Sequence, residues 1–175
     1  MHRSPDIIRL DWRGTRGHFI DMKREPFVRP DWDHYFMNIA GVVATRGNCC
    51  RRQVAALIVK DQRIISTGYN GTPRGVRNCC EGGCARCAGD VPSGMALGEC
   101  ICCHAEENAI TQAAYHGIAL RGATVYSTLS PCLTCAKMII NAGILEVVYD
   151  KEYEFSDQTR TLLHEGGVRC RKLAG

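Results

Sequence analysis

The chain has 175 residues, 45% of them hydrophobic and 23% charged, with a formal net charge of +4. That length and balance describe one globular domain with a buried core and exclude a disordered or fibrous chain. The mild positive charge suits an anionic small molecule and gives no sign of a nucleic-acid footprint, and no apolar run approaches the roughly 20 residues of a membrane span. Residues 1–30 mix charges, glycines and prolines without periodicity, and read equally as an extended arm or a solvated tail. The first residues, Met1-His2-Arg3-Ser4-Pro5-Asp6, lack an apolar signal core. With twelve cysteines, this points to a reducing, cytoplasmic setting and to metal binding rather than disulfides.

From residue 31 onward the chain reads as a single α/β domain, 31–175. A helix is expected from Asp33 to Arg46, carrying Tyr35, Phe36, Ile39, Ala40, Val42 and Val43. Strands follow at Gln53–Val59 and Arg63–Tyr69, with Lys60-Asp61-Gln62 as a hairpin turn. Asn70 to Cys103 has no clear periodicity. A helix then opens at His104 and ends near Gly117. A strand at Thr124–Ser127 leads to a helix from Cys132 to Gly143, with Pro131 at its start and glycine at its end. A strand at Glu146–Tyr149, a helix at Ser156–His164 and a short strand at Val168–Arg171 complete the chain. Strands alternating with helices predict a mostly parallel sheet whose first two strands are antiparallel.

The chemistry is concentrated in His104-Ala105-Glu106 and Pro131-Cys132-Leu133-Thr134-Cys135. This is the H-x-E…P-C-x-x-C pattern of zinc-dependent deaminases of nucleobases. His104, Cys132 and Cys135 make a three-ligand zinc set, which leaves a fourth position for water, as catalytic zinc does. Cys132 and Cys135 are three apart, so a helix places them on one face, and a helix N-terminus favours their thiolates. Glu106 is placed to move protons beside the metal. The competing reading is a closed structural zinc with an incidental glutamate.

The irregular connection from Asn70 to Cys103 is too long for a compact domain unless something holds it. It contains Cys79, Cys80, Cys84, Cys87, Cys100, Cys102 and Cys103, with Cys49 and Cys50 just before the first strand. A second, all-protein zinc site would order it, the alternative being a set of reduced thiols. Spacing leaves open which four would bind; Cys84-Ala85-Arg86-Cys87 is the best local pair.

From Arg29-Pro30-Asp31-Trp32 to about Gly167 the chain resembles the deoxycytidylate (dCMP) deaminases of the cytidine deaminase superfamily. The resemblance is carried by Arg51-Arg52-Gln53-Val54-Ala55-Ala56, Gly68-Tyr69-Asn70-Gly71-Thr72-Pro73-Arg74-Gly75, His104-Ala105-Glu106-Glu107-Asn108-Ala109-Ile110, and Ser130-Pro131-Cys132 through Asn141-Ala142-Gly143. It implies a three-layer α/β/α sandwich with a five-stranded mixed sheet, and hydrolysis of dCMP to dUMP and ammonia, which supplies dTMP synthesis. It also implies a homo-hexamer, activated by dCTP and inhibited by dTTP. Asn70 matches an asparagine that contacts the nucleotide, and Tyr153 a tyrosine near its phosphate. The backbone of Ala105 and the neighbourhood of Thr128 would line the base pocket. Cys49, Cys79, Cys84 and Cys100 best match the ligands of a second, structural zinc. Residue by residue, the lesser alternative for Asn70 is a turn former with positive φ, and Tyr153 reads equally as loop packing. Ala55 departs from the glycine usual at its position and would add a methyl near the pocket floor. The alternatives in function are a deaminase of a modified cytosine nucleotide or nucleoside, a tRNA adenosine deaminase-like enzyme, and a non-catalytic zinc module. The charge balance disfavours RNA, and a module has no use for Glu106.

Overall fold

A computed structural model describes residues 28–92, 94–153 and 155–175, so the expected leader lies outside the described residues apart from 28–30. Helix α1, Trp32–Ala44, starts where Asp31 accepts a hydrogen bond from the His34 N–H at 2.8 Å. Strands β1 (Ala55–Lys60) and β2 (Arg63–Tyr69) pair antiparallel, and Asp61 and Gln62 turn between them with φ of 49° and 58°. Left-handed backbone at both positions suits the twist of a two-residue hairpin. β1 begins two residues later than the sequence suggests because the Val54 N–H is taken by the Asn70 side chain, at 2.9 Å. The remaining strands and α-helices are α2 (Ala85–Ala88), α3 (Ala105–Tyr115), β3 (Thr124–Leu129), α4 (Leu133–Asn141), β4 (Glu146–Lys151), α5 (Asp157–Glu165) and β5 (Arg169–Lys172), and short 3₁₀ turns at Cys79–Glu81 and Leu97–Glu99 flank α2.

The sheet order is β2-β1-β3-β4-β5. β3–β4 and β4–β5 are parallel, but β1–β3 is antiparallel as well as β1–β2, so the sheet is evenly mixed rather than mostly parallel. The crossover through α3 does join two strands of like direction, β2 and β3. They are not neighbours, because β1 lies between them, and that arrangement leaves no trace in periodicity.

Strand alternation divides the core into two layers. Leu57, Val59, Tyr126 and Val148 face Phe36, Met37 and Ala40 of α1. Ala56, Ile58, Val125, Val147 and Tyr149 face Ala105, Ala109 and Ala113 of α3, Ala136 and Ile139 of α4, and Leu163 of α5. Each buried Leu, Ile, Val, Phe or Met among them contributes about 1.5–3 kcal/mol of transfer free energy, and each alanine less. The alanine face of α3 lets it lie close on the sheet. At Gly68 the approach is closest: an added Cβ would stand 2.2 Å from the Ala105 carbonyl and 2.3 Å from the Ala109 nitrogen. Ser66, two residues back on the same face, donates to the Ala109 carbonyl at 2.7 Å.

An ion-pair network fixes the far edge. Glu146 on β4 accepts from Arg169 and Arg171 of β5, each at 2.8 Å, and Arg171 also reaches Asp33 of α1 at 2.7 Å. Burial pushes the Glu146 carboxyl up, but the two guanidiniums outweigh it and hold it below the usual 4.5. The stabilisation is therefore present above the unfolded pKa and is lost as pH falls through the lower folded value. Glu146→Gln should cost about 1 kcal/mol at pH 7. The gap from the unaltered protein should narrow as pH falls below the usual 4.5 and through the lower folded value, which urea unfolding at pH 7 and along an acid series checks.

Candidate functional site

His104 is the N-cap of α3 and Cys132 the N-cap of α4, while Cys135 is the third residue of α4. Two helix N-termini converge as the sequence implies. His104 Nδ1 lies 3.3 Å from Cys132 Sγ and 3.4 Å from Cys135 Sγ, and the three donor atoms lie within 4.8 Å of one another. With Zn–S near 2.3 Å and Zn–N near 2.0 Å, tetrahedral ligands stand about 3.5 Å apart, so the set fits zinc. The group is electrostatically coupled. The Cys135 thiol and the His104 ring, both hydrogen-bonded to Cys132, bring its thiol down to about 3. The partnership with Cys132 raises His104 to about 9, against its burial, and pushes Cys135 up, with burial adding to the effect.

Glu106, in the first turn of α3, is 4% exposed. Burial raises its carboxyl above the usual range. Ser127 on β3 donates to its Oε1 at 2.9 Å, and Oε2 faces Cys135 Sγ at 3.6 Å. One oxygen is thus fixed to the sheet while the other faces the donor set. Ser127 is absent from the residues singled out in the sequence; its only signal there is a polar residue between Val125 and Leu129 on one strand face.

His104, Glu106 and Cys132 open onto a cavity of about 360 Å³ lined also by Arg52, Val54, Asn70, Ala105, Leu129 and Tyr153. Three of the four expected nucleotide contacts, Asn70, Ala105 and Tyr153, are on its wall. The fourth, Thr128, is not, although its neighbours Leu129 and Ser130 are; its hydroxyl accepts from the Ala55 N–H at 3.1 Å. Ala55 is fully buried in β1 and does not line the cavity, so its methyl belongs to the sheet. Asn70 is no left-handed turn residue, since its φ is not positive. Its side chain accepts from Val54 N–H and donates to the Arg52 carbonyl, both at 2.9 Å, clamping the segment before β1. The guanidinium of Arg52 lies 3.4 Å over the Tyr153 ring. Ser130 holds Tyr153 at both ends, accepting from its N–H at 2.9 Å and donating to its carbonyl at 3.1 Å.

The other wall is sulfur-rich. Cys79, Cys84 and Cys87 are buried together, against Cys49, Cys100 and Cys102. All twelve cysteines are free thiols. The four implied as one ligand set do not meet as one. Cys49 and Cys79 group with Cys87 and Cys102, whereas Cys84 and Cys100 group with the same two. The set implied by the resemblance leaves out Cys87 and Cys102, whose role depends on where the connection folds; spacing alone left the four ligands open and pointed at Cys87 through its pairing with Cys84. Burial pushes Cys84 up, but N–H donors from Cys87 and Ile101 and the neighbouring thiols outweigh it and bring it down to about 6. Burial and adjacent thiols push Cys87 and Cys102 up. No helix among the described residues is long and apolar enough to cross a membrane.

Residues 30–151 match the family model of the cytidine and deoxycytidylate deaminase zinc-binding region. Deoxycytidylate deaminase of Schizosaccharomyces pombe is 46% identical over 144 residues, covering 82% of this chain and 44% of the relative. That of Saccharomyces cerevisiae is 43% identical over 187 residues, covering 99% and 59%. The chain thus spans about half the length of these curated relatives. Among solved structures, dCMP deaminase of the cyanophage S-TIM5, in complex with dCMP and dUMP, superposes with a TM-score of 0.69 at 32% identity. It covers 84% of this chain and all of that one (100%).

Proposed function

Since the chain belongs to the cytidine and deoxycytidylate deaminase family, we propose that it hydrolyses dCMP to dUMP and ammonia. The observation that carries this reading is the pairing of a His104/Cys132/Cys135 donor set with one buried carboxylate held by Ser127. His104, Cys132 and Cys135 would hold the zinc, which when bound lowers the pKa of a water ligand to about 7. Proton movement falls to Glu106. Its Oε2 accepts a proton from the attacking water, delivers it to the ring nitrogen, and assists loss of the amine as ammonia. Ser127 keeps the carboxylate aimed throughout. The Ala105 backbone and the wall after Thr128 shape the base pocket, and Asn70 sets its rim. Arg52 and Tyr153 bring charge and donors to the side where a 5′-phosphate would lie.

The same reading includes a structural metal in the cysteine-rich connection and dUMP as a supply for dTMP synthesis. It also includes a homo-hexamer in which dCTP activates and dTTP inhibits. Their support is the likeness to the named deoxycytidylate deaminases. Ammonia release from dCMP, dCTP, deoxycytidine, 5-methyl-dCMP and an adenosine stem-loop tests the substrate. dCMP should be turned over fastest. Preference for the stem-loop would make the protein an RNA editor, and no release from any of them would leave a zinc module.

Asn70→Ala should remove both clamps on residues 52–54. It leaves the Val54 N–H and the Arg52 carbonyl without their partner, at about 1–3 kcal/mol. Because that segment lines the cavity, kcat/KM for dCMP should fall together with the urea midpoint. Loss of activity at unchanged stability would instead assign Asn70 to the nucleotide alone.

A further inference from the structure

The cysteine-rich connection offers more sulfur than one ion can use, in an arrangement suited to two. Cys49, Cys79, Cys87 and Cys102 form one group with every Sγ within 4.8 Å of the others, and Cys84, Cys87, Cys100 and Cys102 form a second. The groups share Cys87 and Cys102, so they describe two tetrahedra with a common edge. We propose that this connection binds two zinc ions in one six-cysteine cluster. Cys87 and Cys102 bridge the ions, Cys49 and Cys79 complete one, and Cys84 and Cys100 complete the other. Counting the His104 site, the chain then carries three zinc ions. The inference rests on the connection holding metal and is independent of deamination.

Three features support it. The first is distance. Cys49–Cys87 and Cys84–Cys100 are 4.0 Å apart and Cys87–Cys100 3.6 Å. Thiolates around one tetrahedral zinc stand about 3.8 Å apart, far beyond the roughly 2.05 Å of a disulfide. The second is the set of backbone donors. N–H groups of Arg51 and Arg52 point at Cys49 Sγ, that of Cys50 at Cys79 Sγ, and those of Cys87 and Ile101 at Cys84 Sγ. Donors of this kind orient metal-bound thiolates and spread their charge. The third is charge. Six thiols that release six protons to two Zn²⁺ leave a cluster of charge −2. Arg51 donates to the Cys87 carbonyl at 2.8 Å, and Arg86, next to Cys87 in α2 and 9% exposed, donates to the Pro92 and Met95 carbonyls. The ligands come from four separate segments, so the cluster would pin a connection that has little apolar core of its own. Of the doubled cysteines, Cys79 is buried and Cys80 exposed, while Cys49 is half-buried and its exposed neighbour Cys50 keeps its Sγ 3.7 Å from Cys79 Sγ, so the Cys50→Ser variant below decides between them.

Metal analysis and native mass spectrometry of the full chain should give three zinc ions per chain. After exchange with ¹¹³Cd, the unaltered protein should show two sulfur-rich resonances that split each other through the shared thiolates. Cys100→Ser should lose one ion, Cys87→Ser should loosen both, and Cys50→Ser should keep all three. Two zinc ions per chain, or cadmium resonances without mutual splitting, would overturn the cluster. The unaltered chain decides this even if Cys87→Ser fails to fold. An active deaminase with two ions refutes the cluster alone, whereas an inactive protein with three refutes only the deaminase reading.

Discussion

Glu106→Gln is expected to lower kcat on dCMP by about 10²–10⁴-fold, the usual contribution of a positioned acid–base group, with zinc content unchanged. The amide has the shape of the carboxylate and can still accept from Ser127, whose hydroxyl meets Oε1 at 2.9 Å. It cannot take up and return a proton, so the chemical step should fail while substrate binding persists. KM should therefore move little compared with kcat. Stability should not fall. Glu106 is buried, and burial already disfavours its charged form, so a neutral amide removes a desolvation cost. Metal analysis, thermal unfolding and steady-state rates on one preparation check all three expectations. Rates within threefold of the unaltered protein would remove Glu106 from proton transfer. Zinc loss would make it a support of the metal site instead.

What could be read from the sequence is what local geometry fixes. A histidine two residues before a glutamate, and two cysteines three apart after a proline, hold their relative positions because each pair sits in one helical turn. Only the meeting of α3 with α4 was left to the fold. The five strands and helices α1, α3, α4 and α5 were legible within a few residues because each carries its own periodicity; the four-residue α2, inside a connection expected to be irregular, was not. Three further features were not legible, because each depends on which segments pack together. The antiparallel β1–β3 pairing arises from a crossover that passes over β1. Ser127 meets Glu106 only because β3 runs beneath α3. Cys87 and Cys102 gain their central place among the sulfurs only when the stretches around residues 49, 79 and 100 converge. Asn70 lies between these cases. Its motif was visible, yet its two backbone hydrogen bonds reach across to residues 52 and 54, which spacing cannot show.

Gly68→Ala should be the most damaging single-methyl change in the sheet. An added Cβ would stand 2.2 Å from the Ala105 carbonyl and 2.3 Å from the Ala109 nitrogen. Both are backbone atoms of α3, so no side chain can rotate away, and the helix must lift from β2. Overpacking ordinarily costs about 1–3 kcal/mol. A backbone clash belongs at or above the top of that range, and a loss of about 3 kcal/mol lowers Tm by roughly 6–12 °C at this chain length. The damage should extend to the site. α3 carries His104 at its cap and Glu106 in its first turn, while Cys132 and Cys135 stay on α4. Lifting one helix would spread donors that now stand 3.3 and 3.4 Å apart, so zinc affinity and turnover should fall along with stability. Gly41→Ala supplies the contrast. That glycine lies in α1 with nothing within 4 Å of an added Cβ, and the same methyl there should stabilise the protein by about 0.5–1 kcal/mol. Urea unfolding and zinc content of the two variants separate close packing from helix propensity. Opposite signs are expected, and a Gly68→Ala protein as stable as its parent would mean that α3 does not rest on β2.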